Sequence, residues 1–288
     1  MQLQFVSARG DILNLVNNEN FFLTNVDGLT KGATSLSSSV TGGLDGDTVG
    51  NIQAQPRPIV LDLRINPVVD VEKAKREILK VVKIKQYGAL IWTKNDRTVT
   101  ITGLVESIDM PRFSKAVTMQ ISLHCEQPFW EDVEKVVSQI SDAISLHYFT
   151  DKYNDMLYFP EDGIPLGEYD TIRTKEIYNA GDVSTGLEIS IVALDTVTNP
   201  IIYNQNGEFY GVGYASRPVV MSKGDIITIT TARKQKSVKM NGVNILDKMK
   251  PQSTWLQLST GNNTFSINSD EESISNMRFD ISYKQRYL

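Results

Sequence analysis

The stretch MQISLHCEQPFWED, residues 119–132, holds the chain's one cysteine, one of its two histidines and three carboxylates. Its periodicity decides between a reactive centre and a structural seam. Val117, Met119, Ile121, Leu123 and Cys125 take every second position, and Thr118, Gln120, Ser122 and His124 fill the gaps. Successive side chains of a strand point to opposite faces. Cys125 therefore belongs to an apolar face and His124 to a polar one, so the two neighbours cannot form a nucleophile–base pair. A thiol in apolar surroundings stays protonated and inert. Pro128 cannot donate a ladder hydrogen bond and closes the strand. The stretch reads as the end of a structural unit, with Phe129 and Trp130 packing where the next element folds back.

Upstream, LQFVS and ILNLV flank the turn-like ARGD, which predicts a hairpin. FFLTNVDG follows as a strand. Residues 28–58 then turn polar and small, GLTKGATSLSSSVTGGLDGDTVGNIQAQPRP, a composition that cannot fill a core. So long an excursion is expected to be a binding arm or a segment ordered by a partner. IVLDLRI, residues 59–65, resumes the strand pattern. In DVEKAKREILKVVK, Val71, Ala74, Ile78, Val81 and Val82 make one helical stripe, with Asp70 as the N-cap. ALIWT and TVTITGLVESID predict a second hairpin around KNDR.

Downstream, EDVEKVVSQISDAISL places Val133, Val136, Val137, Ile140 and Ile144 at helical spacing, with Glu131 and Asp132 in the first turn. A second helix is expected there, then a linker to residue 170. From Thr171 onward short strands alternate with turns such as NQNG, SKGD and STGNN, the pattern of an antiparallel sandwich or jelly roll. The last of them puts Met277, Phe279, Ile281 and Tyr283 on one face.

The totals agree with a folded, mainly β protein: 288 residues, 41% hydrophobic and 22% charged. That length suits two domains of roughly 150 residues each. A net charge of −5 gives no reason to expect nucleic acid as a bound target. The single cysteine makes no internal disulfide, which fits synthesis in a reducing cytoplasm. The chain has no apolar run long enough for a membrane span, and MQLQFVSARGD does not read as a secretion signal.

No chemistry is legible. Cys125, His124 and His147 lack the spacing of a metal site. No GxSxG, CxxC or HExxH occurs, and FPEDG (residues 159–163) reads as a turn before it reads as a carboxylate pair. We therefore expect no catalytic residue, no metal and no cofactor. ARKQKSVK, residues 232–239, reads as a solvated hairpin tip. Trp255, Tyr203 and Tyr210 are candidate sugar contacts, because aromatic rings can stack on sugars. Trp255 shares a strand face with Gln257 and Ser259 and is expected to be exposed.

The order of segments resembles the distal tail protein (Dit) family of long-tailed phages, the siphovirus tail component family. The resemblance is carried by FFLTNVDGL, RPIVLDLRI, DVEKAKREIL, TITGLVESID and CEQPFWED in the first half. In the second half it is carried by YNAGDVSTGLEISI, NPIIYN, KGDIITITT, KSVKMNGV, WLQLSTGNNTFSI and the terminal YKQRYL. It implies a β-sandwich or split-barrel-like ring domain with a helix over residues 1–130, a helix and linker over 131–170, and a galectin-like sandwich over 171–288. It further implies a homo-hexameric ring in the virion, assembled in the host cytoplasm. The ring would join the tail tube to the tail-associated or baseplate hub protein, would let DNA through its lumen without specific binding, and would carry receptor-binding proteins on its outer domain. Within residues 28–58, Leu36, Val40, Leu44, Val49 and Ile52 are candidate arm residues that would meet a neighbouring subunit. The alternative function is a carbohydrate-binding module contacting the host cell wall.

Overall fold

The computed structural model describes residues 2–30, 32–40, 45–95, 97–111, 117–139, 142–144, 168–170, 174–270 and 276–288. Two compact units result, Met1–Glu134 with Arg286–Leu288, and Lys135–Gln285.

The first unit runs β1 (Gln2–Ser7), β2 (Ile12–Asn14), β3 (Phe21–Asp27), β4 (Thr34–Ser39), β5 (Thr48–Ala54), β6 (Arg57–Ile65), α1 (Val71–Val81), β7 (Tyr87–Lys94), β8 (Arg97–Asp109), β9 (Thr118–Cys125) and β10 (Trp130–Asp132). Its main sheet is antiparallel, in the order β2-β1-β7-β8-β9-β6-β3. Register follows the apolar alternation: Ile59 faces Leu123, Leu61 faces Ile121 and Leu63 faces Met119 across β6 and β9. All six are at most 2% exposed. Burying each such side chain contributes about 1.5–3 kcal/mol. The helix α1 begins where the side chain of Asp70 accepts the Glu72 amide at 2.9 Å. It turns Ala74, Ile78 and Val81 into the same core.

The second unit contains β11 (Val136–Gln139), β12 (Asp142–Ile144), β13 (Glu168–Asp170), β14 (Thr174–Asn179), β15 (Thr185–Ala193), β16 (Val197–Asn204), β17 (Phe209–Gly211), β18 (Val220–Met221), β19 (Ile226–Thr230), β20 (Ser237–Met240), β21 (Val243–Asn244), β22 (Gln257–Leu258), β23 (Gly261–Asp270) and β24 (Met277–Tyr283). One sheet runs β11-β24-β15-β19-β20-β21 and the other β14-β23-β16-β17. Ile189, Ile229 and Phe279 of the first sheet share one core with Ile177, Ile202 and Phe265 of the second. The unit is thus a two-layer β-sandwich. Met277, Phe279, Ile281 and Tyr283 all face inward, as their alternation predicts.

Two sequence expectations need correction. The helix expected over residues 131–146 is not formed in its described part. Trp130–Asp132 and Val136–Gln139 are strands, and β11 pairs with β24, Val136 facing Tyr283 and Val137 facing Ser282. The same valines satisfy helical spacing, but β-branched residues suit a pleated surface, and the open edge of β24 offers backbone partners that helix propensity cannot outweigh. Of the expected linker to residue 170, only β12 and β13 are described, and they pair with each other. The second correction concerns the chain's end. Of YKQRYL, Tyr283 ends β24 in the sandwich while Arg286–Leu288 leave it, because β25 (Arg286–Tyr287) adds to the first unit beside β10. There Arg286 meets Glu131 at 2.7 Å and the Tyr287 hydroxyl donates to Asp132 at 2.8 Å.

Candidate functional site

The polar excursion is a hairpin. Strands β4 and β5 pair only with each other, and every residue of both is exposed. Thr34 faces Ala54, Ser35 faces Gln53 and Leu36 faces Ile52, and past an irregularity Ser38 faces Val49. Ser37 lies opposite the extra residue there, its Oγ accepting the Asn51 amide at 2.8 Å. A bulge inserts one residue on one strand. Here it brings Val49 onto the face of Leu36 and Ile52, while Ser35 and Gln53 lie on the other. The hairpin is therefore amphipathic, yet Leu36 is 60% and Ile52 63% exposed. Val40 and Val49 are exposed too. Leu44 lies outside the described residues.

The root of this arm is fixed where the free strands leave the sheet. Gly28 has φ +89°, and a Cβ there would lie 2.1 Å from the Pro58 carbonyl oxygen, so the chain crosses β6 too closely for any side chain. Next to it, the Leu29 carbonyl accepts two hydrogen bonds, from Arg57 Nη1 at 2.8 Å and from Trp130 Nε1 at 2.9 Å. The Gln55 amide donates to the Ala33 carbonyl at 2.8 Å, and its side chain donates to Ser35 Oγ at 2.7 Å. Trp130 in turn packs on Trp92, ring centroids 5.7 Å apart. The stretch that reads as a seam thus holds the arm in place.

Arg57 and Cys125 face each other across β6 and β9, both buried. Burial pushes the thiol up to about 11, against the pull of the guanidinium, and lowers the guanidinium below its usual range. Arg57 Nε and Nη2 have no hydrogen-bond partner among the described residues. Buried as it is, Cys125 offers nothing to a substrate. His124 sits on the opposite face, opposite Pro58 and Leu104. His147 and the PEDG turn lie outside the described residues.

The three aromatic candidates do not converge. Tyr210 is 1% exposed and belongs to the sandwich core, with its hydroxyl pushed up to about 12 by burial, so it has no face to offer a sugar. Trp255 is only partly exposed, because its ring packs on Tyr210 at 5.0 Å. Lys236 lies over that ring at 5.4 Å. The expectation of an exposed Trp255 fails because the chain before β22 is not a strand and folds its indole onto the core. Tyr203 points to the other side, where it forms a cross-strand pair with Phe209, centroids 5.7 Å apart. Arg233 and Lys234 form the exposed turn between β19 and β20 that ARKQKSVK predicts.

Among the described residues no three His, Cys, Asp or Glu side chains gather as a metal site. No described helix is long and apolar enough to cross a membrane. What the sequence reading missed is the arm root. Arg57 has the parity of Ile59, Leu61, Leu63 and Ile65, so an inward arginine was legible in RPIVLDLRI. The convergence of Arg57 and Trp130 on one carbonyl was not.

Comparison with known proteins relates this fold to others. Residues 180–287 match the family described as siphovirus-type tail component, C-terminal domain. No curated protein sequence matches the chain. The crystal structure of the Dit (gp 19.1) protein of phage SPP1, described as a paradigm of the hub adsorption apparatus in phages infecting Gram-positive hosts, superimposes with a TM-score of 0.69. It shares 14% identity over 99% of each chain. A chain of the phage P2 baseplate in its activated conformation matches with TM-scores of 0.51 with calcium and 0.52 with strontium. Both share 12% identity, covering 99% of this chain and 97% of the other.

Proposed function

We propose a hexameric ring at the tail tip for this chain, whose C-terminal domain belongs to the siphovirus-type tail component family and whose whole length has the fold of a phage distal tail protein. It is a structural protein of the phage tail. In the ring each copy would lend its arm to the next. A closed ring needs heterologous contacts in which one surface patch meets a different patch on the neighbour. The single observation that carries this is the amphipathic hairpin of β4 and β5, with Leu36, Val49 and Ile52 bare on one face. A two-stranded hairpin is marginal alone in water and needs a partner surface.

The ring would continue the tail tube on one side and seat the tail-associated or baseplate hub protein on the other. With a net charge of −5, a lumen built from these chains would let DNA pass without holding it. The outer sandwich would carry receptor-binding proteins. The protein would act in the virion after assembly in the host cytoplasm, as a scaffold and not as an enzyme. Size exclusion with light scattering tests the ring. A mass near six times 32.2 kDa is expected. A single-subunit mass at every concentration overturns it.

One observation favours a second role in contacting wall carbohydrate. Tyr203 and Phe209 form a partly exposed aromatic pair, with Ser266 facing Tyr203 across the sheet. Glycan-array binding by the intact protein, lost in Tyr203→Ala, is the expected result of that role. Equal binding by both proteins excludes this pair.

A further inference from the structure

The arm carries charge only at its tip. Residues 33–54 contain Asp45 and Asp47 and no lysine or arginine. Both carboxylates are exposed. Seven residues of strand span about 24 Å, so the tip stands well clear of its own root.

The surface of complementary charge is α1. Its inward side is Ala74, Ile78 and Val81, and the side turned away carries Lys73, Arg76 and Lys80, all exposed, at spacings of three and four. Residues so spaced form one stripe on a helix. Nearby carboxylates are already engaged. Glu72 pairs with Lys75 at 3.9 Å, and Glu77 accepts from the side chain of Asn20. None of the three cations makes an ion pair with a described residue. Leu79, 36% exposed, lies beside them. In a chain of net charge −5 this stripe is a local reversal of sign. A leucine within it suits an acidic and apolar partner better than a run of phosphates.

We infer that α1 of one copy is the seat for the arm tip of its neighbour, with Asp45 and Asp47 against Lys73, Arg76 and Lys80. Leu79 then meets the apolar stripe of the arm. Contacts of this kind set the rate and salt dependence of association more than its total strength. The seat presupposes the ring proposed above, and the experiment separates the two.

The test is a charge swap, read by light scattering as the concentration of half-assembly at about 50 mM salt, where surface charges are weakly screened. Asp45→Lys with Asp47→Lys should raise that concentration about tenfold, equal to 1.4 kcal/mol. Lys73→Glu, Arg76→Glu and Lys80→Glu together should do the same. The combined protein should return to within about threefold of wild type, since opposite charges again face each other. All five positions are exposed, so thermal melts should stay unchanged. If a reversed variant does not fold, Asp45→Asn with Asp47→Asn and Lys73→Gln, Arg76→Gln with Lys80→Gln replace it, each expected to weaken assembly. Wild-type rings that tolerate both reversals, or that are weakened without rescue, overturn the seat and leave the ring standing. A wild-type protein that never forms rings removes both. A helix variant that keeps its rings but loses retention of duplex DNA assigns the stripe to nucleic acid and overturns the seat.

Discussion

The hairpin of β7 and β8 and the hairpin of β4 and β5 belong to the same unit and place apolar side chains on one face of a paired ribbon. In the first, Leu90 faces Ile101, and both are at most 2% exposed in the core that the inward side of α1 also joins. In the second, Leu36 faces Ile52, and both are more than half exposed. Local pattern is the same; cover is not. A stripe buried within its own chain supports the fold. One left bare on a two-stranded ribbon does not support its own fold, and apolar surface of this kind on an unpartnered edge invites pairing.

Removing the arm separates the two roles most sharply. Deleting residues 33–54 should abolish rings and leave a folded monomer whose thermal melt matches that of wild-type monomer, measured by light scattering and calorimetry. Rings from that variant would mean the arm is not the joint. Ile101→Ala acts on the covered hairpin. It should lower unfolding free energy by about 2–5 kcal/mol in denaturant titration, the cost of a core truncation. If Ile101→Ala left stability unchanged, the cover on that hairpin would not matter.

Cys125→Ala should cost about 1 kcal/mol, the scale of a small cavity, and leave ring mass unchanged. It also has a pH signature. Burial raises the thiol from 9.0 in the unfolded chain to about 11 in the fold. Below pH 9 both states hold the proton and stability is unaffected. Between pH 9 and about 11 the unfolded chain releases it first, so stability falls with rising pH. The alanine variant should lack that part of the alkaline slope. The smallest effect belongs to Leu36→Ala with Ile52→Ala. Monomer stability should move by no more than about 0.5 kcal/mol, as for surface positions, while ring mass falls at a given concentration. A large loss of monomer stability would mean the stripe is covered within its own chain.

The contrast also marks what a sequence can carry. Alternation fixed the inward faces of β6, β9 and β24, and the stripe with Asp70 fixed α1, because burial and capping leave a period in the residues themselves. Residues 131–146 failed because Val133, Val136 and Val137 sit at helical spacing whether or not a helix forms, and the deciding fact, the free edge of β24, lies almost 150 positions away in the chain. The arm was legible as something too polar for a core. Its strand pairing was less so, since the bulge at Gly50 and Asn51 breaks the alternation that would have announced it. Tyr210 and Trp255 were misjudged for a related reason, as an aromatic ring looks the same in sequence whether it faces water or a core. The root bonds to Leu29 come from Arg57, 28 positions away, and from Trp130, 101 positions away, and leave no local trace.

The most direct measurement is hydrogen exchange at the amides of residues 34–40 and 45–54, followed as protein concentration carries the sample from monomer to ring. The arm amides should exchange within the fastest class in dilute monomer and become protected in step with ring mass. Ring-sized particles in which these amides still exchange as fast as in monomer would contradict an arm covered by a neighbouring copy.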